Sequence, residues 1–365
     1  MNFDIRSLVL PGVQTILPYQ PGKPLSELER EYGIHDAIKL ASNENPLGAS
    51  PRAVEAARVA LAEIARYPDG GGFVLKRALS ERLAVSADQI TLGNGSNDVL
   101  ELVARTFAGV GHEIIFAQHA FIVYELATRA VGATPVVVPA RDWGHDLAAM
   151  QRAVTSKTRV VYIANPNNPT GTWVPAGELE AFLRRVPPHV VVVVDEAYFE
   201  YVEEPDYPDT LKWIARYPNL VVTRTFSKAH GLAALRVGYA VSRASVADYF
   251  NRVRQPFNVN HIGAAAAEAA LGDDEHVRRS VALNRAGLRQ LADGFRRLKL
   301  GFIPSVGNFL TVDFGRPAMP IYEALLHKGV IVRPIAGYGM PNHLRVTVGL
   351  PEENQRFLDA LQSVI

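Results

Sequence analysis

From about residue 85, short apolar runs rich in β-branched residues alternate with stretches whose apolar positions recur at helical spacing. QITL (89–92), HEIIFA (112–117), TPVVVPA (134–140), RVVYIAN (159–165), HVVVVVD (189–195), NLVVTRT (219–225) and RVGYAVS (236–242) read as strands. Helical patterns start at Asp98 and run near 122–131 and 176–185. The 189–195 run carries five consecutive valines, a pattern suited to a strand covered on both faces. Such alternation predicts an α/β fold, with a mainly parallel central sheet covered by helices in a large domain.

The pattern then changes. An Ala-rich helix (262–271) and a long helix near 273–299 precede FLTVDF (309–314), a helix near 319–328, VIVRP (330–334), HLRVTVG (343–349) and a closing helix. This reads as a smaller α+β domain. The opening stretch contains PGVQTILPYQPGKP, whose prolines fix φ and restrict the residue before each of them. It reads as extended or turning, an arm lying on something else. The expected division is 1–45 for the arm and part of the small domain, 46–262 for the large domain and 263–365 for the small domain.

Composition narrows the chemistry. The chain has 365 residues, a formal net charge of +1 and no cysteine. Disulfides, thiolate metal sites and cysteine nucleophiles are therefore excluded. Near-neutral charge gives no general attraction to nucleic acid or to an anionic membrane. No stretch is apolar for the roughly 20 residues a membrane span needs, and the N-terminus lacks the layout of a signal peptide. A cytoplasmic protein is the expectation. Of the 38 basic residues only eight are lysines, so few amines are available for covalent chemistry.

In parallel sheets, ligands bind beyond the carboxyl ends of the strands. Those ends carry residues 93–97 (GNGSN), 166–171 (PNNPTG), 195–198 (DEAY) and 226–228 (FSK). By itself the first is a tight turn, lacking both GxxxxGK[ST] and GxGxxG. Beside three other polar strand ends, it becomes a seat for a phosphate on a helix N-terminus. Asn168 is either a turn residue or a ligand. Asp195, after a buried valine run, must be paired or neutralised; a helix cap is one partner, a cationic ligand atom the other. Lys228 follows an apolar strand and precedes small residues, so burial would lower its pKa and free its amine for a Schiff base. Arg236, eight residues on, has the fork that suits a phosphate.

An amine for an aldehyde, a carboxylate for a pyridinium nitrogen, donors for a ring oxygen and an anion cradle together meet the needs of pyridoxal 5'-phosphate. At these residues the sequence resembles the fold-type I, class I/II pyridoxal-phosphate-dependent aminotransferases. The resemblance runs through PYQPGKP (18–24), LASNENPLG (40–48), RYPDG (66–70), LGNGSND (92–98), NPNNPTG (165–171), VDEAYFEY (194–201), TFSKAHGLAALRVGY (225–239), NFL (308–310), VIVRP (330–334) and LRVTVG (344–349). ASNENPLG with the FSKAHGLAALRVGY run points to their histidinol-phosphate subfamily.

The resemblance implies the following roles. Lys228 carries the cofactor as an aldimine and moves a proton, and Asp195 holds the pyridine nitrogen protonated. Asn168 and Tyr198 bond the ring oxygen, while Gly95, Ser96, Asn97, Ser227 and Arg236 hold the phosphate. Phe121 stacks on the ring where relatives commonly have Tyr, and His119 stands where they have Pro. Tyr67 reaches the cofactor phosphate of a second subunit, which implies a homodimer. Tyr19, Asn45, Arg333 and Arg345 are the implied substrate residues, with Glu44 near the entrance. Without the resemblance, Arg333 and Arg345 read as surface ion-pair residues. The implied reaction is ping-pong transamination of L-histidinol phosphate with 2-oxoglutarate, giving imidazole-acetol phosphate and L-glutamate. Alternatives are an aromatic amino-acid aminotransferase and a pyridoxal-phosphate-dependent phosphoamino-acid decarboxylase. A non-enzymatic protein on the same fold ranks below them, because Lys228 and Asp195 are both present.

Overall fold

The structure is a computed structural model that describes residues 4–18 and 22–365. In chain order its strands are β1 (Ile38–Lys39), β2 (Ile90–Gly93), β3 (Glu113–Ala117), β4 (Thr134–Val138), β5 (Thr158–Ala164), β6 (Val191–Asp195), β7 (Leu220–Thr225), β8 (Gly238–Val241), β9 (Gly301–Ile303), β10 (Phe309–Asp313), β11 (Val330–Ile331), β12 (Arg333–Pro334) and β13 (His343–Thr347). Among the described residues, β2 to β8 form one sheet in the order β2-β8-β7-β6-β5-β3-β4. Only β8 runs against its neighbours. The carboxyl ends of β2, β3, β5, β6 and β7 therefore share one edge, where the motifs of the sequence converge.

Every residue of β6 is buried, as a strand between two helical layers requires. The larger core extends from Ala53 to Ala270 and takes in β2 to β8. Ala266, Ala267 and Ala270 of helix His261–Leu271 pack within it, past residue 262 where the sequence reading puts the division. Small side chains let this helix lie close against helix Pro51–Ala60.

A second core joins helix Asp274–Arg297, helix Met319–His327 and helix Pro351–Gln362 to a four-stranded antiparallel sheet, β12-β13-β10-β9. Leu40 belongs to this core although it lies near the chain start, because β1 pairs in parallel with β11. The 330–334 run is not one strand. Its first half pairs with β1 and its second half with β13.

The opening segment is partly helical. Residues Leu25–Tyr32 form a helix that buries Leu28 against Ala41, Leu326 and Ile331. Residues Pro11–Gln14 form one helical turn, and Thr15 accepts a hydrogen bond from Arg129 at 3.1 Å. That part of the arm rests on helix Val123–Ala130. Among the described residues, no helix is long and apolar enough to cross a membrane.

Candidate active site

A cleft of about 200 Å³ opens at the shared strand edge, between the two cores. Eleven residues singled out from sequence line it: Ser96, Asn97, Phe121, Asn168, Asp195, Tyr198, Ser227, Lys228, Arg236, Arg333 and Arg345.

Lys228 is partly buried, and its Nζ donates to the Ser42 carbonyl at 3.2 Å. Burial first, then the Arg345 and Arg236 charges, lower its pKa to about 7. Much of the amine is therefore neutral at physiological pH and available as a nucleophile. Asp195 is only 5% exposed. Its carboxylate accepts from the Tyr124 hydroxyl and from the Thr223 hydroxyl, each at 2.9 Å. Burial pushes its pKa up against these hydrogen bonds. A buried carboxylate held mainly by neutral donors, at a cleft wall, is suited to a cationic ring nitrogen.

The anion cradle has two parts. Helix Ser96–Phe107 starts at Gly95, which supplies no side-chain cap to its first N–H groups. Gly95 has φ +82°, and a Cβ there would collide with the Arg236 guanidinium. Glycine thus allows both the turn and the close approach of the arginine. Arg236 Nη1 also donates to the Ala233 carbonyl at 2.9 Å and to Ser227 Oγ at 3.4 Å. A free helix start beside a forked cation and a hydroxyl fits a phosphate.

Arg345 and Arg333 occupy directly opposed positions on β13 and β12. Both are buried, at 6% and 9% exposure. Like charges facing each other across strands repel, and an anion between them relieves that repulsion. Their burial departs from the surface position expected without the resemblance. Arg345 donates to Asn168 Oδ1 at 2.5 Å and to the Ala41 carbonyl at 2.7 Å. One amide of the cleft is thereby oriented by the arginine.

Several predicted residues lie elsewhere. Asn45 does not line the cleft. Its amide donates to the Ala229 carbonyl (2.9 Å) and to Ser280 Oγ (2.8 Å), and its oxygen accepts from the Leu47 N–H (3.0 Å). Its side chain is occupied in joining segments, so it is a structural tie. Glu44 pairs with Lys39 at 3.1 Å and bears electrostatically on Lys228. Tyr67 is 83% exposed and stacks on Phe257, centroids 4.7 Å apart, away from this cleft. Tyr19 lies outside the described residues.

The structure also brings in residues that the sequence reading passes over: Asn43, Tyr124, Thr223 and Tyr338. Asn43 donates to the Tyr198 hydroxyl at 2.8 Å, and Tyr338 lines the cleft. His119, at φ +58°, bonds through Nδ1 to the Tyr338 carbonyl at 2.5 Å. It ties the loop that carries Phe121 to the segment before β13, where Tyr338 packs against Ile303, Ile335 and Met340.

Three comparisons bear on this geometry. The profile of the aminotransferase class I and II family matches residues 35–361. Histidinol-phosphate aminotransferase 2 of Pseudomonas fluorescens is 61% identical over 367 residues, covering 100% of this chain and 99% of the relative. Its counterpart in Pseudomonas aeruginosa is 61% identical over 364 residues, covering 99% of each. The crystal structure of histidinol-phosphate aminotransferase from Sinorhizobium meliloti, in complex with pyridoxal-5'-phosphate, superposes with a TM-score of 0.90 at 30% identity. That match covers 98% of this chain and 97% of that one.

Proposed function

Because the chain belongs to the class I and II aminotransferase family, we propose that it moves an amino group from L-histidinol phosphate to 2-oxoglutarate, with pyridoxal 5'-phosphate as cofactor. The products are imidazole-acetol phosphate and L-glutamate, a step of histidine biosynthesis. The observation that carries the reading is the meeting of a partly buried, pKa-lowered Lys228 and a buried Asp195 in one cleft with a phosphate cradle.

The donor set fits the cofactor part by part. When bound, pyridoxal phosphate supplies an aldehyde that takes up amino groups and a ring that withdraws electrons. Lys228 would be its attachment point and, once displaced by the incoming amino group, its free Nζ would move the proton taken from substrate Cα. Asp195 keeps a proton on the ring nitrogen. Tyr198 and Asn168 donate toward the ring oxygen, and Phe121 packs on the ring. Gly95, Ser96, Asn97, Ser227 and Arg236 hold the phosphate. Arg333 and Arg345 take the phosphate of one substrate and a carboxylate of the other in turn, which the fork of arginine permits.

The same reading makes the enzyme a homodimer, with Tyr67 serving the partner's cofactor. Val54, Val59, Leu61, Ile64, Tyr67 and Phe257 are all exposed, an apolar group suited to burial against a second copy. It also assigns residues 1–45 to an arm with part of the smaller domain, and 46–262 to a cofactor-holding domain to which helix His261–Leu271 adds its packing.

Purified protein is expected to be yellow, and borohydride reduction should leave the cofactor mass on Lys228. A mass shift on any other lysine sinks the cofactor assignment. For substrate, kcat/KM with 2-oxoglutarate as acceptor is expected to be highest for histidinol phosphate. A higher value for phenylalanine or tyrosine makes the enzyme an aromatic aminotransferase and leaves the residue roles standing. Sedimentation of the holoenzyme should give a dimer, and a monomer that retains full activity removes Tyr67 from the site.

A further inference from the structure

Asn43 stands where the two cores meet. Its φ of +55° is left-handed, a conformation that asparagine tolerates better than most residues, and it is 1% exposed. Its backbone N–H donates to Thr347 Oγ1 at 2.9 Å, and the Thr347 hydroxyl donates back to Asn43 Oδ1 at 3.0 Å. Its Nδ2 donates to the Tyr198 hydroxyl oxygen at 2.8 Å. Asn308 donates to the Asn43 carbonyl at 3.0 Å and helps fix the segment.

The order of donors in this chain sets a direction. Thr347 has one hydroxyl proton, and it goes to Oδ1. The Asn43 amide therefore presents its NH2 to the phenol. Since the phenol oxygen accepts at that point, its own proton turns elsewhere. Tyr198 lines the cleft with Lys228, Asn168 and Arg345.

We propose that Asn43 is a positioning residue, which holds the Tyr198 phenol as a hydrogen-bond donor aimed into the cleft at the ring oxygen of the cofactor. The proposal rests on the pyridoxal phosphate reading above. Two further facts agree with it. Burial pushes the phenol up to about 12, so it keeps the proton it is to donate. Thr347 shares β13 with Arg345, so the relay starts on the strand that carries the anion-binding arginine.

Holoenzyme variants test it. Asn43→Asp keeps the size of the side chain but offers the phenol an acceptor, which draws its proton away from the cleft. Asn43→Gly keeps the left-handed backbone and removes the amide. The readouts are the pH midpoint of the bound cofactor's visible absorbance and the cofactor dissociation constant, measured by titrating the cofactor-free protein.

Losing a donor at an oxygen that carries negative charge in the deprotonated form raises the midpoint. Both variants are expected to raise it by about one pH unit and the dissociation constant about tenfold. Tyr198→Phe should do the same, and adding Asn43→Gly to Tyr198→Phe should change neither further. A wild-type midpoint in both Asn43 variants, or a second full shift in the double variant, overturns the proposal. A wild-type chain that takes up no coloured cofactor overturns the underlying reading instead, so the two failures are distinguishable.

Discussion

Asp195 and Glu196 are neighbours at the end of β6, and both carboxylates are buried, yet they face opposite sides of the sheet. Glu196 accepts from Arg224 at 2.8 Å and from the Thr210 hydroxyl at 2.5 Å. The guanidinium in turn lies over the Phe199 ring at 3.4 Å. Asp195 receives hydroxyl protons from Tyr124 and Thr223 and an N–H from Ala197. Burial pushes both carboxyls upward, but only Glu196 has a cation locked beside it. One charge is neutralised within the fold, and the other is held ready for a ligand.

The contrast can be broken from either side. Removing Arg224 leaves an uncompensated buried carboxylate. Arg224→Met is expected to destabilise the chain by about 3–5 kcal/mol, with or without cofactor, as read by denaturant unfolding.

Charges on the cleft side should behave in the opposite sense. The unfolded chain holds the Lys228 proton up to about pH 10.5, the folded chain only up to about 7. Folding therefore sheds a proton, and stability falls as pH drops through that window. Lys228→Met should stabilise the cofactor-free chain by about 2–4 kcal/mol at pH 7 and below, and the gain should vanish by about pH 10.5. A pH-independent difference between variant and parent refutes this.

Asp195→Asn is the smallest of the three in stability. The folded carboxyl is raised, so the charged form burdens the fold above its pKa, and the amide removes that burden. The cofactor-free melting temperature should rise slightly at neutral pH, while cofactor affinity drops at least about tenfold. The matching Glu196→Gln should lower the melting temperature. Equal signs for the two would erase the distinction between them.

The central sheet was legible because its signal is local. Strands of valine and isoleucine, punctuated by Gly and Pro, announce themselves within a few residues. The polar strand ends were legible for the same reason, since a parallel sheet brings its carboxyl ends together. What local pattern cannot encode is long-range pairing. Asn43 finds Tyr198 across 155 residues, and Tyr124 finds Asp195 across 71. Tyr124 looks like one apolar position on a helix and Asn43 like one polar residue in a loop. Asn45 shows the converse error: a motif residue with a suitable amide whose hydrogen bonds go to structural partners. The helix Leu25–Tyr32 is not legible beside the prolines just before it, which mark only a mixed segment. Its buried face is a single leucine, too little for a periodicity argument.

The pairing of Asn43 with Thr347 has a consequence for how the molecule comes into being. These residues are 304 apart in sequence. At about 5–20 residues per second on the ribosome, roughly 15–60 s separate their synthesis. By the end of that interval the larger core has all of its strands, and Lys228 and Asp195 already stand at their edge. The segment that will meet Lys228 and Tyr198 still waits for the strand that anchors it. The nascent chain therefore carries its reactive amine before it has the wall that closes around it, and only the last strand to emerge turns a folded scaffold into a finished cleft.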